Sequence, residues 1–240
     1  MERLQKVIAN LGYCSRRKAE VLITTGKVIV NGEKVFELGT KVSKSDVIEV
    51  EGITLDRNFN YEYYLLNKPR GVITAVSDDK GRKTVVDLID TNTRIYPVGR
   101  LDYDTTGLLL LTNDGELANG LMHPTSEVDK TYIAKVDGIL TGYDVKRLKS
   151  GLVIDGYKTR RCHVKVKSVD KKKNTCIVEI VIHEGRNHQV KKMIEAVGKK
   201  VIKLKRERYA IFDVSGLKTG DYRRLSNKEI AILHSLIKKK

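Results

Sequence analysis

Between Gly99 and Gly115 the chain reads Gly-Arg-Leu-Asp-Tyr-Asp-Thr-Thr-Gly-Leu-Leu-Leu-Leu-Thr-Asn-Asp-Gly. This sets a carboxylate, Asp102, on a glycine-bounded loop that feeds directly into an apolar strand at Gly107–Thr112. A rigid strand can hold such a group at the mouth of a cleft. There an ionised carboxylate can attack carbon or remove a proton. A lone Arg-Leu-Asp would read as a loop aspartate capping a turn. The whole string, rather than the tripeptide, carries the weight.

Other familiar chemistries lack their parts. The chain has no G-x-x-x-x-G-K-[ST] phosphate loop, no G-x-G-x-x-G after a strand and no G-x-S-x-G nucleophile elbow. His183 and His188 are five residues apart, which does not give the i, i+4 pair of a zinc helix, so they read as hydrogen-bonding or surface histidines and no metal is expected. Cys14, Cys162 and Cys176 are odd in number and show no C-x-x-C spacing, against both a disulfide framework and a zinc knuckle. Nucleotide hydrolysis, dinucleotide redox chemistry and zinc deamination are thereby disfavoured.

The elements that must position Asp102 are legible on both sides of it. Leu4, Val7, Ile8 and Leu11 share one helical face, and Gly12 follows as a stop. Ser15 can cap a second helix whose inward residues are Ala19, Leu22 and Ile23, with Arg16, Arg17 and Lys18 clustered at its start. Lys27–Gly32 reads as a strand closing in an Asn-Gly hairpin turn, with a partner strand around Glu33–Phe36. Lys41–Val50 repeats the strand pattern through Val42, Val47, Ile48 and Val50, and Glu51–Asn60 loses periodicity and reads as a linker. Beyond it, Tyr63–Lys68 is β-rich and broken by Pro69. Strands are expected at Gly107–Thr112, Lys130–Val136, Cys162–Val169 and Thr175–Ile182, and helices at Gly115–Met122 and Tyr143–Ser150. Val190, Met193, Ile194 and Val197 form another helical stripe ending at Gly198, and Ser226 with Glu229 makes a capping box for a final helix. The order implies an α+β fold: residues 1–60 as a small module with its linker, and 61–240 as a larger domain on a mixed or antiparallel sheet. Lys171–Lys173 and the Lys238–Lys240 tail read as solvated.

Forty-six Lys plus Arg against thirty Asp plus Glu give a formal charge of +16, which makes nucleic acid the first partner to test. Between Lys165 and Arg208 alone, fourteen Lys and Arg face five Asp and Glu, and an RNA path is expected there. The longest leucine run, Leu108–Leu111, cannot cross a bilayer, and the first ten residues mix charged with apolar positions. With the unpaired cysteines, this implies a reducing cytoplasm and no membrane contact.

Two resemblances sharpen these expectations. RLQKVIANLGYCSRRKAEVLITTGKVIVNG resembles the S4 RNA-binding module found in ribosomal protein S4 and in several RNA-modifying enzymes. It implies RNA contacts from Arg3, Arg16, Arg17, Lys18 and Lys27. G-R-L-D-x-x-T-x-G-L-L-L-L-T-N-D-G resembles the RsuA/RluB class of pseudouridine synthases, whose other segments follow in order as LLNKPRGVITAV, DKTYIAKV, EGRNHQVKKMIEAVG and VIKLKRERY. The resemblance spans nearly the whole chain and is greatest to the RluB type, which acts on large-subunit ribosomal RNA.

That resemblance implies roles residue by residue. Asp102 takes the place of the catalytic aspartate, Tyr132 of the tyrosine that stacks on the target uracil, and Lys191 of the basic residue that pairs with the aspartate. Arg100 takes the place of an arginine that helps hold the flipped nucleotide, and Leu204 of an apolar pocket wall. Arg186 and Arg206 are further substrate contacts. Relatives carry Arg-Arg where this chain has Lys191-Lys192, so a bidentate guanidinium contact becomes a single ammonium contact. The implied reaction isomerises uridine in ribosomal RNA, free or within an assembly intermediate, by a monomer that uses no cofactor. A small-subunit target, or a non-catalytic RNA-binding assembly factor, stays open on these residues.

Overall fold

A computed structural model describes residues 1–58 and 60–238. Contacts divide the chain into two units, Met1–Glu62 with Thr91–Ile95 and Thr112–Gly115, and Tyr63–Asp90 with Tyr96–Leu111 and Glu116–Lys240. Phe59, inside the stretch read as a linker, and Lys239 and Lys240 of the lysine tail lie outside the described residues.

In the first unit, the spacing of Leu4, Val7 and Ile8 buries all three on helix α1 (Leu4–Asn10). Ser15 accepts a hydrogen bond from the Lys18 backbone N–H and so caps α2 (Arg16–Thr24), whose Ala19, Leu22 and Ile23 meet the α1 face in one core. Arg3, Arg16, Arg17, Lys18 and Lys27 are all exposed. Val28–Val30 pairs antiparallel with Glu33–Val35 through a turn in which Asn31 and Gly32 take φ of 51° and 87°, as an Asn-Gly hairpin requires. Two readings need correction. Lys41–Val50 is two short strands, Lys41–Val42 and Ile48–Val50, and Val47 between them is exposed rather than inward. Glu51–Asn60 is not wholly irregular, because Glu51 and Gly52 turn the chain so that Ile53–Thr54 pairs with Glu49–Val50. That pairing is supplied by the neighbouring strand, so no apolar pattern announces it.

The second unit is built on one sheet. Its principal strands are β1 (Tyr63–Lys68), β2 (Thr106–Thr112), β3 (Lys130–Asp137), β4 (His163–Asp170), β5 (Thr175–Ile182), β6 (Lys200–Tyr209) and β7 (Tyr222–Arg224), in the spatial order β4-β5-β3-β6-β2-β1-β7. Pairing is antiparallel from β4 through β6 and between β1 and β7, whereas β6 runs parallel to β2. Leu108 to Leu111 are all buried, as expected for a strand covered on both faces. Leu108 and Leu110 share a core with Leu117 and Leu121 of α3 (Gly115–Met122) and with Leu233 of α6 (Asn227–Lys238). Thr141 and Asp144 cap α4 (Gly142–Ser150) reciprocally. Val190, Met193 and Ile194 are the buried face of α5 (Gln189–Glu195), and Val197 and a left-handed Gly198 follow it. Strand β6 and the hairpin Val153–Ile154/Tyr157–Lys158 have no counterpart in the strands read from sequence. In β6, lysines and arginines occupy half the positions and hide the pattern of the inward Leu204, Arg206 and Tyr209.

The parallel junction is short, Thr106 opposite Lys205 and Gly107 opposite Arg206. Gly107 has φ of 108°, and a Cβ there would stand 2.1 Å from the Arg206 carbonyl oxygen. Both the backbone conformation and the approach demand glycine. Gly107→Ala is therefore expected to destabilise the fold by roughly 3 kcal/mol or more. Urea unfolding measures this; a loss under about 1 kcal/mol would mean the junction can spread.

Candidate active site

The loop carrying Asp102 is held by its own carbonyl groups. Thr74 Oγ1 donates to the Leu101 carbonyl (2.6 Å), and the Gly71 N–H to the Tyr103 carbonyl (2.8 Å). Lys68, the last residue of β1, is fully buried and its Nζ donates to the carbonyls of Asp102 (3.0 Å), Thr105 (3.0 Å) and Pro69 (3.1 Å). Burial lowers the Lys68 pKa to about 8, against an upward pull from Asp102 and Asp104. The segment Leu65–Val76 thus forms the cradle of the loop. With its backbone anchored, the loop presents Asp102 at a cleft.

Opposite, β3 and β6 bring Tyr132 and Leu204 to the same cleft, Tyr132 pairing with Arg206 and Ala134 with Leu204 across the ladder. A register shift between Thr131 and Tyr132 re-aims the strand at this point. Tyr132 and Leu204 are 8% and 7% exposed, so each offers the cleft a ring or an apolar edge while its bulk is packed. From α5, the Lys191 ammonium reaches Asp102 Oδ2 at 2.9 Å and Asp104 Oδ1 at 2.6 Å. Burial pulls the Lys191 pKa down, but its hydrogen bonds to Asp104 and Asp102 outweigh this and leave it above the ordinary value. The hydrogen bond from Lys191 likewise holds the Asp104 carboxyl below its usual range. His188, left-handed at φ 55°, places Nε2 3.4 Å from Asp102 Oδ1. Thr105 is buried in the cleft wall with its hydroxyl unpartnered among the described residues.

Arg100 and Arg186 stand at the rim, where Arg100 Nη2 lies 3.5 Å from Asn187 Oδ1 and the Arg186 guanidinium lies 3.5 Å over the Tyr157 ring. Arg206 does not join them. It is 2% exposed and absent from the cleft wall, and its Nε donates to the Leu108 carbonyl of β2 at 2.7 Å. Its charge ties the parallel junction together instead of facing a ligand. The space between the walls is about 60 Å³, below the few hundred typical of ligand pockets.

The sequence reading missed Lys68, Asp104 and His188. A lysine ending an otherwise apolar strand just before Pro69 was a signal for the first. Asp104 shares the string with Asp102, but only the reach of α5 shows that it takes Lys191. His183 pairs with Asp129 (2.9 Å), and among the described residues no three His, Cys, Asp or Glu side chains gather as metal ligands.

A carboxylate between a lysine and a histidine, facing an aromatic ring and an apolar wall, can attack carbon or take a proton beside a flat, stacked substrate. Residues 62–196 match the RNA pseudouridylate synthase family, and residues 2–48 match the S4 domain. The chain is 57% identical over 237 residues to "Ribosomal large subunit pseudouridine synthase B" of Bacillus subtilis (strain 168), covering 98% of this chain and 97% of that protein. It is 41% identical to an uncharacterized RNA pseudouridine synthase of Aquifex aeolicus (strain VF5), covering 98% and 94%. Among solved structures, one described as a pseudouridylate synthase superposes with a TM-score of 0.69 at 30% identity, covering 97% of this chain and all of the other.

Lys68→Met keeps the bulk of the side chain and removes both hydrogen bonds to the loop, at Asp102 and Thr105. Turnover should fall roughly 10- to 100-fold, the usual effect of a small misplacement of a reacting group. Folded Lys68 titrates near 8 and the unfolded chain near 10.5, so between these values the unfolded chain holds more protons and this group's contribution to stability rises with pH. Loss of turnover above pH 8 would then reflect a slackened loop and not unfolding. Near-normal turnover in Lys68→Met would show that the loop holds without it.

Proposed function

Because this chain belongs to the RNA pseudouridylate synthase family, we propose that it isomerises a uridine of large-subunit ribosomal RNA, with Asp102 as the catalytic carboxylate. The observation that carries the reading is the convergence of Asp102, Lys191, Tyr132 and Leu204 at one cleft from a loop, a helix and two strands. End-to-end identity of 57% with a relative named for the large subunit supports the choice of target.

The reaction breaks the N1–C1′ bond, turns the uracil and joins C5 to C1′; the C5 proton is lost and N1 gains one. Nothing is consumed, so the proposed enzyme needs no cofactor. The base must first leave its stack, at a cost of a few kcal/mol that a stacking ring can offset. Tyr132 supplies the ring, and its hydroxyl is a candidate acceptor for the C5 proton. Asp102 acts as a carboxylate, by attacking carbon or by removing a sugar proton, with the Lys191 ammonium 2.9 Å away. Leu204 keeps water from the cleaved intermediate. Arg100 and Arg186 at the rim attract the phosphates flanking the target.

Arg3, Arg16, Arg17, Lys18 and Lys27 of the S4 module add affinity for RNA and not chemistry. The described residues contain no helix long and apolar enough to cross a membrane, and we take the enzyme to be a cytoplasmic monomer.

Tyr132→Phe retains the ring face and should bind RNA normally while turnover falls. Undiminished turnover would exclude an essential hydroxyl. Asp102→Asn removes only the charge, and tritium release from C5-labelled uridine in large-subunit transcripts should become undetectable while filter binding at fixed salt stays similar. Retained release would exclude Asp102 as the catalytic group. Mapping pseudouridines in ribosomal RNA from cells with and without the gene assigns the subunit. A missing small-subunit site would overturn the target, and no missing site would favour a binding factor.

A further inference from the structure

One face of α4 packs on nothing. Gly142, Val145, Lys146 and Lys149 follow the i, i+3, i+4, i+7 spacing of a single helical face, and Arg161 closes the groove from the other side. The groove is shallow and open to solvent, and a Cβ built on Gly142 would meet nothing within 4 Å. Arg161 is set against the helix end by its neighbour Cys162, whose backbone N–H and thiol bond the carbonyls of Lys149 and Leu148 (both 3.2 Å).

Lys146, Lys149 and Arg161 are exposed, and none has an acidic partner among the described residues. Asp144, the acid nearest in sequence, is held in the cap with Thr141. The helix dipole accounts for a cation in the last turn such as Lys149, but not for Lys146 or Arg161. An uncancelled triple charge around a partly apolar floor suits a phosphodiester with a sugar or base lying on Val145. Helix α4 lies against β4, the sheet's edge strand, which is two strands from β3 and its Tyr132.

We propose that this groove is a second RNA subsite, which grips the backbone of the substrate away from the target uridine. The proposal rests on the assignment of RNA as substrate and adds a contact that serves capture and not chemistry. The test is the triple variant Lys146→Gln, Lys149→Gln, Arg161→Gln, compared with a control that removes the same charge from exposed lysines elsewhere, Lys80→Gln, Lys218→Gln, Lys228→Gln. Filter binding of a large-subunit ribosomal RNA transcript across a salt series should give a log K against log salt slope shallower by about 2 for three lost phosphate contacts. KM should rise roughly tenfold with kcat unchanged. The control should leave both near wild type.

Equal weakening by the two triples would reduce the effect to net charge, and an unchanged slope would remove the subsite. Normal handling of naked RNA with loss only on assembly particles would point to an acidic protein partner and overturn the RNA assignment. An inactive wild type would sink the functional reading while leaving the salt slope to judge the groove.

Discussion

Lys68 is the charge around which the loop carrying Asp102 is built. Taking an ammonium out of water costs several kcal/mol unless its protons are used, and here three main-chain carbonyls use them. Its lowered pKa records the cost that remains. The gain is that the backbone of Asp102 is fixed without spending the Asp102 side chain. That carboxylate is left free for Lys191 and His188 and for whatever enters the cleft. Two carboxylates of the loop, Asp102 and Asp104, stand against two ammonium groups from elsewhere, Lys68 of β1 and Lys191 of α5.

Asp104 bears on the exchange of arginine for lysine at position 191. An ammonium has no fixed fork and can swing where a guanidinium cannot. Here a second carboxylate, 2.6 Å away, holds it, so Lys191 is pinned between two acids and not tethered to one. Lys192, next in the chain, turns away and pairs with Asp155 on the hairpin beside the rim. The two lysines therefore do separate jobs: one orders the carboxylate, the other fastens the neighbouring hairpin.

Much of this was legible in the sequence, wherever periodicity or cap chemistry is local. The α1 stripe, the Ser15 and Ser226 caps, the Asn-Gly turn and the four-leucine strand each follow from side chains a few residues apart. Convergence of Asp102, Tyr132, Lys191 and Leu204 was read from resemblance, since no local rule brings together positions so far apart in the chain. What escaped notice depends on partners supplied by the fold. Arg206 looked like a substrate contact because it sits in a basic run, but the neighbouring strand offers it the Leu108 carbonyl and buries it. Lys68 looked like the charged end of a strand because its carbonyl acceptors lie up to 37 residues away.

The parallel junction between β2 and β6 also constrains the order in which the molecule can be assembled. Thr106 and Gly107 wait for Lys205 and Arg206, about a hundred residues later. During synthesis the Asp102 loop emerges early, and β1 can already deliver Lys68 to it. The wall carrying Leu204, and the arginine that clamps Leu108, emerge only when most of the chain has left the ribosome. Loop closure of that length is slow to nucleate. A nascent chain thus carries Asp102 long before the residues that complete the cleft around it have been made.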